Sequence, residues 1–501
     1  MERAIIMVLI NVKDIGAVGD GVADDTSKII EAISMLRKSS WTGLEGGGTL
    51  FFPAGKYRVT KTIRFVNHGI EIIGEQAVNT LIIPSNNFVG DTVFDFAFNG
   101  DETEWNWSYI RNIRIRNLGF LGKESSVLAN PPDMIRMDKG YDLNRFESLY
   151  FEDIFSTAIK LINTIGVSPT ETVGQGTTIQ DLMIINKTEK LSKATKPLIS
   201  MENQNECYLN TIKILAGDKS WSEYPKRTGL QLAGCQGITL QANSFSIMSS
   251  PAILITTAKT NYQTQCKGIF IGSNTFEDIK EEAISILGEP DITTSGGEIL
   301  RYNKMENVVI SENRHYGLRG EYPIKVNYAV DIIIRDSVPI TLGSEARKTL
   351  IYNNQAQNIL DKGVATIIYG AFDDGSSQNW TVQNDVLLNK VNPGITLQEK
   401  AANQKFILKT GYKGVAKYGF DFKHIHSNGQ EASILAWKDI VLSIDFMFKM
   451  NPRTALPAAK EDKQGSLCFI KADATKGETK DSLYICMQDG GVGIYKWNKL
   501  M

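Results

Sequence analysis

Four acidic side chains in the first half of the chain are candidate catalytic carboxyl groups: Glu152, Asp181, Glu206 and Glu223. Hydrolysis of a glycosidic bond needs one carboxyl group as acid and a second, about 5–5.5 or 6.5–9.5 Å away, as nucleophile or base. If Glu152 and Asp181 lie on neighbouring strands, four residues apart along the strand direction, roughly 13 Å separates them. A loop would then have to bring another carboxyl group to Glu152. The candidates are Glu202, Glu206, Asp218 and Glu223.

Aromatic and basic side chains near these carboxyl groups could hold an extended polar ligand. Trp221 and Tyr224 lie in a loop that also carries charged residues. Flat rings can cover the apolar face of a sugar while flanking polar groups bond its hydroxyls. An alternative is that the charged residues form exposed ion pairs, which add little to stability. The remaining candidate substrate-binding residues are Arg114, Arg116, Tyr150, Lys213 and Arg227. If adjacent coils stack in register about 4.8 Å apart, Arg116 and Glu152 could touch.

The composition favours an all-β protein that neither binds nucleic acid nor inserts into a membrane. The 501 residues have a hydrophobic fraction of 42% and a formal net charge of -2. Glycine is abundant, long 3.6-residue periodicities are rare, and no apolar run is long enough to span a bilayer. The five cysteines include no CxxC pair, so we expect reduced thiols and no metal site.

A 31-residue repeat in the centre of the chain predicts stacked coils. Ile238-Thr239-Leu240 recurs as Ile269-Phe270-Ile271, a shift of 31 residues from 238 to 269. In each copy two apolar residues, one apart, would point inward from a short strand. We therefore expect Ile238 to lie against Ile269 on the next coil. Looser copies are predicted at residues 113–115, 149–151, 182–184, 212–214, 308–310 and 332–334.

Turn residues and cysteines should form columns along the same stack. Cys235 and Cys266 are related by the same shift, so we expect their side chains to lie together in the core. Side-chain amides at successive turns can satisfy backbone groups of neighbouring coils. Such a ladder is predicted at Asn117, Asp153, Asn186, Asn243, Asn274, Asn313 and Asp336.

The opening segment is the most specific stretch of the sequence. It reads NVKDIGAVGDG at residues 11–21, then Asp24-Asp25 and a short helical pattern, then GGGTLFFPAG at residues 46–55. This segment resembles the pectate-lyase-3-like family of single-stranded right-handed β-helices, which includes phage tailspikes and polysaccharide depolymerases. The resemblance covers residues 11–59 directly. It implies a right-handed parallel β-helix with an N-terminal capping helix, which Asp24 or Asp25 would cap.

The chain is predicted to contain three regions. An N-terminal cap with the first coils occupies residues 1–60, and the parallel β-helix occupies residues 61–360. Longer alternating strands, as at 440–446 and 482–486, predict a C-terminal β-sandwich over residues 361–501. By analogy with tailspike-like proteins, that region would serve trimerisation or carbohydrate binding.

The resemblance implies a phage tailspike-like depolymerase that hydrolyses a bacterial surface polysaccharide: a capsule, an O-antigen or an exopolysaccharide. It further implies a homotrimer on the virion tail, folded in the host cytoplasm and acting outside cells. Because the motif begins at residue 11, attachment to the virion would use an adaptor protein. No cofactor is required for hydrolysis.

Three alternatives stay open. A polysaccharide lyase would break a uronate chain by β-elimination, with calcium as a cofactor and Arg314, His315 or Tyr316 as the base. A receptor-binding spike would bind sugar without cleaving it, and a secreted bacterial enzyme could act on plant cell walls. A lyase leaves an unsaturated sugar that absorbs ultraviolet light, whereas a binding protein produces no new reducing ends.

Overall fold

The computed structural model describes residues 8–36, 47–97, 109–163, 174–258, 265–290, 292–293, 299–301, 303–318, 320, 323–336, 338–352, 359–363 and 366–369. In the rest of the chain it describes individual strands between residues 387 and 499. As far as residue 369 the described chain forms a right-handed parallel β-helix. The strands lie on three faces, which we name the first, second and third sheets in chain order, and the described coils from Arg114 to Asn327 contribute one strand to each.

The first sheet contains one short strand per coil, and its strands pair in parallel. Gln204–Asn205 pairs beside this row with Gly174–Gln180. The row consists of Leu9–Asn11, Gly48–Phe52, Ile70–Gly74, Arg114–Arg116, Tyr141–Glu147, Gly174–Gln180, Tyr208–Asn210, Thr239–Gln241, Lys267–Gly272, Met305–Ser311, Ala329–Ile334, Ala346–Tyr352 and Ile367–Tyr369.

The second and third sheets share two long strands near the N-terminus, Gly55–Phe65 and Thr80–Ala97. The other strands of the second sheet are Asp20–Asp24, Gly119–Leu121, Tyr150–Glu152, Met183–Ile185, Lys213–Leu215, Ser244–Met248, Thr275–Ile279 and Arg314–Tyr316. Those of the third sheet are Asp133–Asp138, Ile159–Ile162, Ile199–Glu202, Leu230–Ala233, Ile253–Thr256, Ile284–Leu287, Ile324–Asn327, Ile340–Leu342 and Ile359–Asp361.

Three helices and a hairpin interrupt the coils. The α-helix Thr26–Ser34 lies against Gly55–Phe65 and buries Ile29, Ala32 and Ile33. The 3-10 helices are Lys123–Val127 and Glu189–Lys193, and Ile292–Thr293 pairs antiparallel with Ile299–Arg301. None of the helices in the described part of the chain is long and apolar enough to cross a membrane.

Asp24 and Asp25 divide the capping role that the sequence assigned to either residue. Asp24 Oδ1 accepts the Thr26 backbone N–H at 3.0 Å, at the start of the helix. Asp25 is buried and accepts the N–H groups of Val18 and Gly19 at 2.6 and 3.1 Å. Burial raises the pKa of Asp25 despite these two hydrogen bonds. Asp25 is the N-cap residue but its side chain makes no capping hydrogen bond and holds the preceding turn, whereas Asp24, one residue earlier, bonds the first N–H of the helix.

The interior is a set of apolar columns that run along the coils. In the 31-residue repeat, Leu240 pairs in register with Ile271, which places Ile238 beside Ile269 as predicted. The rings of Phe245 and Phe276 stack with centroids 5.6 Å apart. Fully burying one such side chain contributes about 1.5–3 kcal/mol to stability. The Cys266 thiol lies 3.2 Å from the Cys235 backbone nitrogen, which confirms the predicted stack of the two cysteines.

The looser repeats are split between two sheets, which corrects the predicted register. Residues 113–115, 308–310 and 332–334 belong to the first sheet with the two repeat strands. Residues 149–151, 182–184 and 212–214 instead lie along the second sheet. Both sheets point alternate apolar residues inward, so the pattern alone does not show which face a strand occupies.

An asparagine ladder runs along the turn between the first and second sheets. The side-chain oxygens of Asn243, Asn274, Asn313 and Asp336 each accept a backbone N–H from the preceding coil at 2.9–3.0 Å. Of the other predicted ladder residues, Asn117 lies in the turn between the first and second sheets, and Asp153 and Asn186 lie after the second sheet. Asn186 follows the second sheet, where its side chain bonds the Ile154 N–H and the Ala216 carbonyl. Asp153 occupies that same turn, and Asn117 follows the strand Arg114–Arg116.

Replacing Asn274 by alanine should destabilise the β-helix by about 2–3 kcal/mol, because buried partners lose their hydrogen bonds. The Asn274 side chain is buried, accepts the Asn243 backbone N–H at 2.9 Å and donates to the Leu240 carbonyl at 3.2 Å. Chemical denaturation should show a lower midpoint than for the wild type. The exposed residue Asn86 supplies a matched control, Asn86→Ala, which should shift the midpoint little. Equal midpoints for both variants would contradict a stabilising ladder.

The C-terminal strands form a second compact unit, Gly375–Thr381 with Asp385–Met501. Their antiparallel pairing fits the strand predicted at residues 482–486, whereas the strand predicted at 440–446 lies outside the described residues. The β-sandwich and the three region boundaries remain predictions. One antiparallel sheet contains Leu387–Leu388, Gly394–Glu399, Gln404–Tyr412, Ala416–Ile425 and Glu431–Lys438. The other contains Leu467–Ile470, Ser482–Gln488 and Tyr495–Lys499.

Candidate functional site

Glu152 lies on the outer face of the second sheet, at the end of the strand Tyr150–Glu152. Strand alternation turns Phe151 into the core and leaves Tyr150 and Glu152 half-buried on the outside. Lys187 Nζ donates to Glu152 Oε2 at 2.8 Å, and the Tyr150 hydroxyl donates to the same oxygen. The three side chains form a compact polar group, which we call the Glu152 site.

The Glu152 site holds its carboxylate ionised. Burial favours the neutral acid, but the hydrogen bonds from Lys187 and Tyr150 outweigh it and lower the pKa of Glu152 from 4.5. Burial and the neighbouring Glu152 raise the pKa of Tyr150, and the hydrogen bond to Glu152 raises the pKa of Lys187. At neutral pH the group therefore presents an anion, a phenol and an ammonium. An ionised carboxylate is suited to act as nucleophile or base and not as the proton donor.

Asp153 fixes the backbone that carries Lys187. Its buried carboxylate accepts the N–H groups of Lys187 and Thr188 at 2.7 and 3.0 Å, and the Thr188 hydroxyl at 2.9 Å. The sequence predicted Asp153 only as a turn residue. Its partners lie on the next coil, and the spacing between the two segments gives no sign of the contact. Asp153 is therefore a positioning residue for the ammonium that ionises Glu152.

Replacing Asp153 by alanine should release Lys187 and raise the pKa of Glu152. The sign follows because Lys187 lowers that pKa while burial raises it. The titration can be read directly by carbon NMR of protein labelled at the glutamate side-chain carboxyl carbons. Asp20→Ala is a matched control, because Asp20 also accepts two backbone N–H groups, at 2.7 and 2.8 Å, but lies in the first coil. An unchanged Glu152 titration in Asp153→Ala would refute the positioning role.

The predicted tryptophan loop, residues 217–227, lies in the same surface region. Glu189, two residues after Lys187, accepts the backbone N–H and the hydroxyl of Ser222 at 3.2 and 3.0 Å. At the other side of the loop, Lys219 Nζ lies 3.0 Å from Glu277. Ser222 stands between Trp221, which is half-buried, and Glu223, which is exposed. These contacts bring the loop carrying Trp221 and Glu223 toward the Glu152 site.

Arg114 and Arg116 do not contribute to the Glu152 site, and the predicted contact between Arg116 and Glu152 is wrong. Both arginines lie on the first sheet. Arg114 Nη2 lies 2.6 Å from Glu147, and Arg116 Nε lies 2.8 Å from Glu71. The error has the same origin as the register error. The strand Tyr150–Glu152 was assigned to the face of Arg114–Arg116, whereas it lies on the second sheet.

Two of the other predicted carboxyl groups occupy turns that are separate from Glu152. Asp181 has a positive φ of 53° and accepts the Thr211 hydroxyl at 2.6 Å. Glu206 has a φ of 51° and accepts the Gln175 amide at 2.7 Å. Lys213 is exposed and shares the outward row of Tyr150, two coils further along. Two of the predicted acids, Asp218 and Glu223, lie in the loop that contacts Glu189, two residues after Lys187.

Tyr224 and Arg227 are buried, which corrects their prediction as substrate-binding residues. Tyr224 is 3% exposed, and Lys280 Nζ lies 4.1 Å from its ring centroid. Arg227 is 0% exposed and donates to the Lys196 carbonyl at 2.9 Å, the Ile154 carbonyl at 2.6 Å and the Ser156 carbonyl. The end of the loop folds back onto the coils, which loop composition alone does not predict.

His315, a predicted base for an elimination reaction, has a buried side chain. Its ring stacks on Phe276 with centroids 5.1 Å apart, and its Nε2 lies 3.1 Å from Asp336. Strand alternation in Arg314–Tyr316 leaves both neighbouring side chains exposed. His315 therefore continues the aromatic column of Phe276 inside the coil. Among the described residues no three metal-ligating side chains cluster together.

The third sheet brings together two carboxyl groups that the sequence did not connect. Asp138 pairs in register with Ile162, and Met201 with Leu161, so Asp138 and Glu202 share one outward row. Two coils separate them, or about 9.6 Å between Cα atoms. Glu202 was considered only as a partner of Glu152. The long segment between these strands hides their register in the sequence.

Comparison with known proteins supports the resemblance seen in the opening segment. Residues 9–120 match the family described as rhamnogalacturonase A/epimerase, pectate lyase-like. The match confirms a pectate-lyase-like β-helix and extends over the first coils. It includes the strand that carries Arg114 and Arg116 but ends before Glu152.

Two curated relatives and one solved structure are similar to parts of this chain. Plasmin and fibronectin-binding protein A of Streptococcus pneumoniae is 24% identical over 335 residues, 62% of this chain and 41% of that protein. Mannuronan C5-epimerase AlgE1 of Azotobacter vinelandii is 52% identical over 50 residues, 10% of this chain and 3% of that protein. The chain thus spans less than half the length of either relative. The ORF18 structure of Geobacillus virus E2 is 13% identical, covering 98% of this chain and 86% of its own, with a TM-score of 0.47.

Proposed function

We propose that this chain binds and hydrolyses a bacterial surface polysaccharide, as a phage tailspike-like depolymerase. The observation that carries the proposal is the ionised Glu152 carboxylate on an outer flank, beside the loop with Trp221 and Glu223. A homotrimer attached to the virion tail through an adaptor protein belongs to the same proposal. The substrate would be a capsule, an O-antigen or an exopolysaccharide.

In the proposed reaction Glu152 acts as nucleophile or as the base that activates water. Lys187 and Tyr150 keep it ionised and hold its orientation. Glu223 supplies the proton to the leaving sugar oxygen. This side chain is exposed in the free protein, where a bound glycan could reach it. Trp221 would carry the apolar face of one sugar ring.

Product analysis tests this proposal directly. The full chain is incubated with purified capsules, O-antigens and exopolysaccharides from a panel of strains, and products are analysed by mass and for reducing ends. We expect saturated oligosaccharides with new reducing ends from at least one polymer. Heat-inactivated protein is the control. Tight binding without new reducing ends would contradict hydrolysis and support the alternative, a non-catalytic receptor-binding spike.

Proton abstraction from a uronate chain is a second candidate function. Two observations favour it: the matched family is described as epimerase and pectate lyase-like, and Tyr150 and Lys187 adjoin Glu152. Lys187 would pair with the uronate carboxylate while Tyr150 and Glu152 transfer the proton. Elimination would give products that absorb ultraviolet light. Epimerisation would leave the chain length unchanged and incorporate deuterium from heavy water at the reacting carbon.

A further inference from the structure

Three successive coils of the first sheet present an outer face whose three rows contain uncharged polar side chains. Between two of these rows stands one charged group of the described residues, the exposed carboxylate of Glu206, which accepts the Gln175 amide at 2.7 Å. Register pairs Thr178, Tyr208 and Thr239 in a central row. The two flanking rows contain only carboxamides: Gln180, Asn210 and Gln241 on one side, and Gln175, Asn205 and Gln236 on the other. We call these nine side chains the carboxamide face.

The surfaces on either side of the carboxamide face are chemically different. Toward the N-terminus, the central row continues as Arg145, Arg114 and Glu71. Toward the C-terminus it continues as Phe270, Val309 and Ile333. The change from charged to uncharged polar to apolar follows the coil axis. The carboxamide face is therefore a local feature of the first sheet, and the rest of the sheet's outer surface has a different chemistry.

The carboxamides are not bonded to one another. Among the described residues, the side chains of Gln180, Asn210 and Gln236 form no hydrogen bond within the protein, although identical amides could have formed a ladder. Gln241 accepts only a long contact of 3.5 Å from the Tyr208 hydroxyl. Each unbonded carboxamide offers a ligand two N–H donors and a carbonyl acceptor.

Two aromatic rings mark the long axis of this face. Tyr208 and Phe270 belong to one row and lie two coils apart, about 9.6 Å between Cα atoms. Phe270 is 37% exposed, and the far end of its ring approaches Gly272. A Cβ added at Gly272 would stand 2.5 Å from that ring. The glycine thus leaves room for the Phe270 ring beside the backbone.

We infer that the carboxamide face, with Phe270, binds a neutral oligosaccharide at a site separate from the Glu152 site. Sugar hydroxyls both donate and accept, which matches carboxamides, and the two rings can stack on the apolar faces of sugar residues. An anionic ligand would find no cation within the face. The inference goes beyond the proposed cleavage, because this face lies on a different sheet and contains neither of the two carboxyl groups of the proposed reaction, Glu152 and Glu223.

Titration of the full chain with defined oligosaccharides tests the inference. The probes are neutral hexasaccharides of glucose, galactose and mannose, with hexagalacturonate as the anionic comparison, measured by saturation-transfer NMR and calorimetry. We expect at least one neutral probe to bind. Tyr208→Ala and Phe270→Ala should each weaken it by about 10-fold or more.

Two further variants distinguish binding at the carboxamide face from binding elsewhere on the protein. Leu360→Ala removes an exposed apolar side chain, 39% exposed, from the third sheet and should leave binding unchanged. Glu152→Gln should bind the neutral probe as the wild type does, even if it cleaves nothing. The inference is overturned if no neutral probe binds, or if Tyr208→Ala and Phe270→Ala bind normally. A change of oligomeric state in Tyr208→Ala would also overturn it, by assigning the face to contacts between copies.

Discussion

Glutamine in place of Glu152 should lower the rate of polysaccharide cleavage about 10²–10⁴-fold while leaving the fold intact. The amide has nearly the same shape, but it carries no charge and cannot act as nucleophile or base. Lys187 would lose its anionic partner at 2.8 Å. The cleavage rate is measured from new reducing ends on the polymer identified by product analysis.

The control for Glu152→Gln is the same substitution at an exposed glutamate. Glu31 lies on the α-helix and pairs only with Lys28, at 2.9 Å, so Glu31→Gln should cleave at the wild-type rate. The pH profile gives an independent check. The pKa of Glu152 lies below its usual 4.5. Wild-type cleavage should therefore persist below pH 4.5 and be lost only as the pH falls through the lowered pKa. Normal turnover by Glu152→Gln would remove this residue from the mechanism.

Methionine in place of Arg227 should destabilise the β-helix by about 3 kcal/mol or more. The guanidinium is fully buried and donates to the carbonyls of Ile154, Ser156 and Lys196, which keep no partner when the side chain becomes apolar. Burial lowers the pKa of Arg227 to about 9, opposed by Asp133, so the group stays charged at neutral pH. Removing a buried charge relieves desolvation, but the three orphaned carbonyls outweigh that gain.

Chemical denaturation measures the effect of Arg227→Met against a surface arginine. Arg145 is exposed on the first sheet, 3.8 Å from Glu147, and Arg145→Met should shift the midpoint little. Arg227→Lys adds a second comparison, because a single ammonium keeps the charge but cannot reproduce the planar set of donors. A midpoint for Arg227→Met equal to that of the wild type would show that the three carbonyls find other hydrogen-bond donors.

The stacking of the repeated strands could be predicted from the sequence. The contacts made by loops and turns between the coils could not. The 31-residue shift placed Ile238 on Ile269 and Cys235 on Cys266, because one spacing fixes the register of several strands at once. Arg116 was placed beside Glu152 because the first and second sheets share the same inward apolar pattern. No spacing in the sequence separates those two faces.

The burial and the partners of residues with long-range contacts could not be predicted from residue type. Arg227 was predicted to be a surface ligand because arginine is usually exposed, whereas its partners lie up to 73 residues away in the chain. Asp138 and Glu202 become neighbours only through the register of the third sheet. Lys187 and Asp153 lacked any signal, because the contacts that ionise Glu152 are made between coils of unequal length.

The two anchors of the loop at residues 217–227 bear on how tightly it could hold a sugar. Lys219 ties the loop to Glu277, and Arg227 ties its end to the carbonyls beneath it. A segment fastened in this way has already lost much of its conformational entropy on folding. Immobilising a free side chain on association costs about 0.5–1.5 kcal/mol, so preorganisation would spare most of that penalty for Trp221.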